Sequence, residues 1–292
     1  MDEQLAYFGF SHCLGLGPVA FDALIKRFGT AGRAYDAKSD ELKSVLGFKK
    51  QVLFSEFRNR FNAEKKLKEI NGKGIVVLSR QDKKYPHLLK EISDAPICLY
   101  VKGDLDSVDL NKLHFAVVGT RMATSYGVQI ARLLARELAE SGVSIVSGMA
   151  LGIDSQAHYG CLEAKGTTIA ILGGGVDIVY PPQNKQLYDQ ILNNKGLIMS
   201  EFPPGMTALK GLFIARNRIV SGMSKGVLVV EGAQNSGAMV TARIAAEQGR
   251  DVFAVPQSIT SPVSKGPNLL IREGATLVTS VDDILEELNL QR

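Results

Sequence analysis

The chain of 292 residues is 45% hydrophobic and 22% charged, with a formal net charge of +4. That is enough apolar sequence for a large core, and the length suits one sizeable α/β domain with a smaller module beside it. Three widely spaced cysteines, Cys13, Cys98 and Cys161, exclude a disulfide framework or a C-x-x-C metal site, and no apolar run approaches the ~18 residues of a membrane span. The acidic start Met1-Asp2-Glu3-Gln4 is unlike a secretory signal, so a reducing cytoplasm without membrane insertion is the expected setting. Through residue 75 there are 13 Lys and Arg against 9 Asp and Glu, and the remainder holds 21 of each. A mildly basic head on a neutral body fits polyanion contact and fits an ordinary solvated surface equally well.

Residues 5–70 carry apolar side chains at three- and four-residue steps, as in Phe21, Leu24, Ile25 and Phe28, interrupted by Gly15, Gly17, Gly29 and Gly47. That pattern predicts short helices joined by tight turns. Strands are expected at 75–78 and 97–101, separated by a polar stretch, and the acidic segment 103–113 reads as a boundary. From His114 the character changes. Near-continuous apolar runs at 115–118, 144–146, 168–172, 197–200, 227–230, 252–255 and 276–278 alternate with amphipathic helices such as 128–138 and 241–248. This predicts a mostly parallel, doubly wound, Rossmann-like sheet. The expected division is a helical module over 1–72, a strand-containing connector over 73–113, and a Rossmann-like domain over 114–292.

In such a sheet ligands bind beyond the carboxyl ends of the strands, so the loops there are the ones to inspect. The first, residues 119–127, is small and hydroxyl-rich and opens a helix whose free N–H groups suit an anion, with Arg121 adding a planar fork of donors. It lacks the G-x-G-x-x-G spacing, and the second strand runs into Ser147-Gly148 with no acid at its tip, so no nicotinamide cofactor is expected. In the second loop Gly148 and Gly152 permit a tight backbone, Asp154 is placed to cap the next helix, and His158 follows one turn later. An Asp–His pair can relay protons. With no evident nucleophile or metal partner, a structural cap hydrogen-bonded to the histidine is the favoured reading.

The third loop has Gly173-Gly174-Gly175, then Tyr180-Pro181, and reaches Lys185 at a helix start. The dipole disfavours a cation there, so either an anion is shared or the lysine is simply solvated. Arg216 and Arg218 flank Asn217 inside an apolar segment and need partners. Carboxylates such as Glu201 and Glu231, or ligand phosphates, are the choices, and one of each is expected. The fifth loop ends in Ser236-Gly237 at a helix start, either an anion site or an ordinary cap. Together the loops point to a phosphate-bearing ligand without choosing between DNA and a nucleotide.

The choice comes from resemblance. The strings Val118-Gly119-Thr120-Arg121, Ser147-Gly148-Met149-Ala150-Leu151-Gly152-Ile153-Asp154 with Ala157-His158, and Tyr180-Pro181 resemble the DprA (Smf) DNA-processing family. So do Ser200-Glu201-Phe202-Pro203, Arg216-Asn217-Arg218, Ser236-Gly237-Ala238-Met239-Val240-Thr241-Ala242, and Gly249-Arg250-Asp251-Val252-Phe253-Ala254-Val255-Pro256, in order over residues 76–288. The resemblance implies an extended Rossmann fold that binds single-stranded DNA, protects incoming strands and loads the recombinase RecA during natural transformation. It also implies a homodimer formed through the Rossmann domain, and no catalysis, cofactor or metal.

The arginine of the family's G-S-R motif falls on Arg121, with Thr120 keeping the serine hydroxyl, and a family lysine falls near Lys185. The expected DNA contacts are therefore Gly119, Thr120, Arg121, Lys185, Arg216, Asn217, Arg218, Ser236 and Gly237, with Gly148, Gly152, Asp154 and His158 shaping the loop. Tyr126, Tyr180, Phe202 and Phe213 are candidates for base stacking. Two departures stand out: Gln257 replaces a common glycine, and the sequence stops at Arg292, where many relatives continue into a winged helix, so no role for such a module is expected. The N-terminal region resembles a SAM-like, helix-hairpin-helix-like domain, with Gly15-Leu16-Gly17-Pro18 as a turn that meets a phosphate or merely packs. The alternative reading is a nucleotide hydrolase of the LOG (lysine-decarboxylase-like) group. Its P-G-G-x-G-T loop is replaced here by Gln234-Asn235-Ser236-Gly237-Ala238-Met239, leaving Glu231 and Arg216 as a residual nucleotide pocket.

Overall fold

The computed structural model describes residues 1–290, so the expected end of the Rossmann-like part at 292 lies outside the described residues. The chain opens with α1 (Glu3–His12), α2 (Pro18–Phe28), α3 (Ala31–Asp36), α4 (Ser39–Arg60) and α5 (Ala63–Asn71). Their common core is aromatic: Phe10 stacks on Phe54 at 4.8 Å and meets Phe21 and Tyr35 edge-on. Edge-to-face pairs of this kind fix helix orientation as well as burying area.

Then come β1 (Ile75–Ser79), α6 (His87–Lys90), β2 (Cys98–Gly103), β3 (His114–Val118), α7 (Ser125–Glu140), β4 (Ser144–Ser147), α8 (Ile153–Glu163) and β5 (Thr168–Ile171). They are followed by α9 (Lys185–Asn193), β6 (Leu197–Ser200), α10 (Lys210–Gly222), β7 (Gly226–Val229), α11 (Gly237–Glu247), β8 (Asp251–Ala254), α12 (Lys265–Arg272), β9 (Thr276–Leu277) and α13 (Val281–Glu287). One sheet takes all nine strands in the order β1-β2-β6-β5-β4-β3-β7-β8-β9. Strands β3 to β9 run parallel, whereas β2 is antiparallel to both β1 and β6. The fold is α/β and Rossmann-like, with a helical N-terminal part.

The central strands are buried on both faces, which explains their unbroken apolar runs. Alternate residues of β3 serve opposite layers: Phe115 and Val117 pack with α7, α8 and α13, and Ala116 and Val118 with α10, α11 and α12. Strand order reverses at β3, which lies between β4 and β7. The loops after β3 and β7 therefore face each other at the switch point, and the loops after β4, β5 and β6 extend the same rim. Among the described residues no helix is long and apolar enough to cross a membrane.

Candidate nucleic-acid interface

At the switch point the crevice is filled from within. Glu231, just past β7, is fully buried, and its carboxylate accepts from the Thr124 amide (2.9 Å) and the Thr124 hydroxyl (2.5 Å). Its carbonyl accepts from the Thr120 amide at 2.8 Å. Thr124 in turn caps α7 by accepting from the Gly127 amide. The anion at the α7 N-terminus, expected from a ligand, is thus the chain's own carboxylate. On the other side Thr120 accepts from the Ile153 amide at 3.2 Å, so the loop is pinned at both ends. Arg121 stands exposed at its tip, and Gly119 packs against Ile153.

The Arg121 guanidinium lies 5.3 Å from the Phe213 ring centroid, and Phe213 leans on Tyr180 at 5.3 Å. Tyr180 is half exposed. Beneath them a cavity of about 80 Å³ is lined by Arg121, Gly148, Leu151, Tyr180, Phe213 and Arg216. Its floor is the Arg216 guanidinium, only 4% exposed. Arg216 Nη1 donates to the Ile171 carbonyl at 2.7 Å, and Nε has no partner among the described residues. Burial pushes the Arg216 pKa down, the Asp154 carboxylate opposes this, and the charge of Arg121 adds to the lowering. A buried guanidinium lacking a full set of acceptors is a site where an anion gains disproportionately. Gly148 is required here, because a Cβ at that position would overlap the Arg216 guanidinium.

Asp154 corrects one expectation. It does not cap α8, whose N-cap is Gly152, but accepts from the Gly148 and Ala150 amides of the loop before it. Burial raises its pKa, countered first by Arg216. Nor does it bond His158, as expected of the pair. One turn on, the His158 ring is directed at the sheet, with Nδ1 2.7 Å from the Thr168 hydroxyl. Burial, with the charge of Arg216, lowers the His158 pKa to about 3, leaving a neutral imidazole that relays nothing to Asp154.

Residues 76–289 match the family model of DNA recombination-mediator protein A. The chain is 40% identical over 290 residues to Protein Smf of Synechocystis sp., covering 98% of this chain and 73% of that protein. The chain belongs to the DprA/Smf family. An X-ray structure of DNA processing protein A (DprA) from Streptococcus pneumoniae matches with a TM-score of 0.85 at 35% identity, covering 97% of each chain. That of Helicobacter pylori, described as having a unique single-stranded DNA binding mode, matches with 0.65 at 33% identity, over 74% of this chain and 95% of that one.

Within this DprA/Smf member the remaining expected residues divide. Lys185 opens α9 in the open but is ion-paired with Asp189 one turn on, so the anion its position calls for is again internal. Asn217 reaches the Gly237 carbonyl at 3.4 Å and ties α10 to the start of α11. Arg218 is a correction: its donors go to both Glu201 oxygens (2.8 and 2.6 Å) and to Asp94 (2.9 Å), and it is 8% exposed. It is a strut between α10, the end of β6 and the loop before β2, not a group left for phosphate. Glu231 and Arg216, the residual nucleotide pocket of the hydrolase reading, are spent apart on Thr124 and on Ile171 with its Asp154 neighbour. Ser236 and Gly237 start α11 without a side-chain cap, and the Ser236 hydroxyl is unpartnered among the described residues.

Three features escaped the sequence reading. Glu231 was considered as an arginine partner or as part of a nucleotide pocket, not as the acceptor for Thr124, although an acid at a strand tip signals that donors face it. Asn184 bridges the Met149 carbonyl (2.8 Å) and the Ser155 hydroxyl (2.9 Å), locking the third loop to the second. Lys210, exposed at the first position of α10, precedes Phe213 by three residues and so lies on the same helix face. Where a glycine is common at 257, Gln257 instead donates to the Val230 carbonyl and exchanges hydrogen bonds with Asn268, anchoring the turn.

Proposed function

We propose that this protein binds single-stranded DNA along the rim, protects it and delivers it to RecA during natural transformation, as a homodimer assembled through the Rossmann-like part and without catalysing a reaction. The observation that carries the reading is Arg121 held exposed over Phe213, beside Tyr180 and above the under-partnered Arg216, in a DprA/Smf chain. An aromatic step between two guanidiniums suits a strand whose bases stack while its phosphates are neutralised. The uncapped start of α11 at Ser236 and Gly237 and the exposed Lys185 and Lys210 lie on the same rim and extend the path. The working division of labour is a helical module over 1–72, a connector over 73–113, and the DNA-binding part from 114 onward.

The test is Arg121→Ala assayed on oligodeoxythymidylate across a salt series. Affinity is expected to fall on all sequences alike, with the slope of log K against log salt shallower by about 0.7, one phosphate's share. Binding equal to wild type at every salt concentration would remove the rim from the DNA path.

A further inference from the structure

We infer that the exposed basic face of α4 and α5 is a second DNA contact, continuous with the rim, so that one strand runs from Arg121 across the junction onto the N-terminal helices. The inference rests on the single-strand reading above and extends it to a surface that this reading does not use.

The charge is concentrated, not spread. Residues 43–73 hold nine Lys and Arg against three Asp and Glu. Arg58 is turned inward to the Tyr35 and Ala37 carbonyls, and Lys66 pairs with Glu69. Lys49, Lys50, Arg60, Lys65, Lys68 and Lys73 are exposed and form no ion pair among the described residues. Even with Glu56 and Glu64 exposed among them, these cations leave the face with a clear positive excess, and such a face invites a polyanion.

The shape of the face follows from the sequence. At Gly47 the backbone adopts φ 74°, which kinks α4 and starts a fresh helical segment at Phe48. On that segment Lys49, Val52, Leu53, Glu56, Phe57 and Arg60 recur at helical spacing on one side, and with Phe61 they line an open groove of about 480 Å³. Phe54 and Gln51, on the opposite side, are buried in the module. Phe57 and Phe61 stack at 4.7 Å within the groove, an aromatic floor between the two cations of its rim. Aromatic rings interleaved with basic side chains favour a single strand over a duplex, whose bases are already stacked.

Continuity with the rim comes from topology. Because β2 is antiparallel to β6, with Tyr100 opposite Ser200, the start of β2 and the carboxyl end of β6 share the rim's edge. Just past β6, Phe202 and Glu201 line a cleft with Leu14, Gly17 and Pro18 of the α1–α2 turn. The same turn touches α4, where Gly15 packs directly against the Leu53 side chain. Leu53 lies in the basic groove. Phe202, the turn, Leu53 and the groove thus adjoin one another in turn, which gives a strand leaving the β6 end of the rim a route onto the helices.

The test compares Lys49→Gln/Lys50→Gln/Arg60→Gln with Arg121→Ala in the full chain, on oligodeoxythymidylate of about six and of about thirty nucleotides, lengths near the short end of and well above the roughly 4–16 nucleotides of a single site. The triple variant alters exposed side chains only. It is expected to bind the short strand like wild type and to lose about tenfold or more on the long one, with a salt slope shallower by about two, three phosphates' share. Arg121→Ala is expected to weaken both lengths. If the triple variant binds long strands like wild type while Arg121→Ala does not, the second contact is overturned and the rim stands. Equal losses on both lengths would overturn it too, since the face would then support the rim and not touch DNA. A fall in the oligomeric mass of the triple variant by sedimentation, with DNA binding unchanged, would assign the face to another copy of the chain and likewise overturn it. If only Arg121→Ala is without effect, the rim reading fails and the basic face remains as a contact in its own right.

Discussion

Helix α10 carries two buried arginines two residues apart, and they live in opposite circumstances. Arg218 is saturated: two carboxylates take its donors, and each side chain of the Arg218–Glu201 pair is about a tenth exposed. Arg216 is equally hidden, yet the structure gives it one carbonyl, a nearby Asp154 and a buried Nε without a partner among the described residues, and its side chain helps line a small cavity. A buried cation with its counter-charges in place is architecture. A buried cation short of acceptors stores free energy that a bound phosphate can release.

The largest expected effect tests the saturated member. Arg218→Met leaves Glu201 buried without its cation, and burial already raises that carboxyl's pKa against the pull of Arg218. A loss of about 3–5 kcal/mol in unfolding free energy is expected by denaturant titration, and Arg218→Met/Glu201→Leu should recover much of it. A single variant as stable as wild type would show that the pair is not what holds α10 to β6. The open member's neighbourhood should respond the other way. Phe213→Ala removes the ring between Arg121 and Tyr180 and should weaken single-strand binding by about 1–3 kcal/mol, while the unfolding midpoint moves little because Phe213 is only partly buried. A stability loss as large as that of Arg218→Met, with binding intact, would erase the contrast.

Why this contrast was only half legible in the sequence is instructive. The apolar runs of β3 to β7 announce doubly covered strands, because each side chain must be apolar whichever layer it meets, and the loops of the rim follow from strand direction. Arg216-Asn217-Arg218 also announces two partner-seeking cations, and one carboxylate-bound member was expected, with Glu201 named among its partners. Which arginine it was, and that Asp94 joins it, depends on how α10 is rotated over β5 and β6, a tertiary property with no local signal. The same holds for Asp154: its spacing to His158 fits a helix pair, but the tight turn at Gly148 offers amide donors that are nearer. Glu231 was misjudged because cap chemistry was sought within each loop, whereas its donor Thr124 lies 107 residues away in sequence.

His158 reports the charge of Arg216, only partly offset by Asp154, at a distance. Its pKa is lowered first by burial and then by Arg216, to about 3 from an ordinary 6.5. The folded state therefore binds a proton far less readily than the unfolded chain. The stability this contributes is complete above pH 6.5 and is lost as pH falls from there toward 3, with a slope of about 1.4 kcal/mol per pH unit from this one group. Urea midpoints at pH 7 and pH 5 should show a smaller acid loss in His158→Gln than in wild type. In Arg216→Met the histidine should titrate higher by NMR, and an unchanged imidazole would mean that burial alone sets it.

The smallest effect belongs to Lys185, which is neither saturated nor open. Its ammonium is paired with Asp189 one turn along α9, and both groups are largely in solvent, so the pair adds only about 0.3–0.5 kcal/mol to stability. For a phosphate this lysine is a contact already partly neutralised. Lys185→Ala should then reduce the salt slope of single-strand binding by less than the ~0.7 of a full phosphate contact. Asp189→Asn frees the same lysine and should tighten binding modestly, with a steeper slope. Opposite signs from these two exposed variants would place Lys185 on the DNA path. If Asp189→Asn and Lys185→Ala both bind like wild type, the i,i+4 pair is only a surface feature of α9, and the rim's cations reduce to those around Phe213.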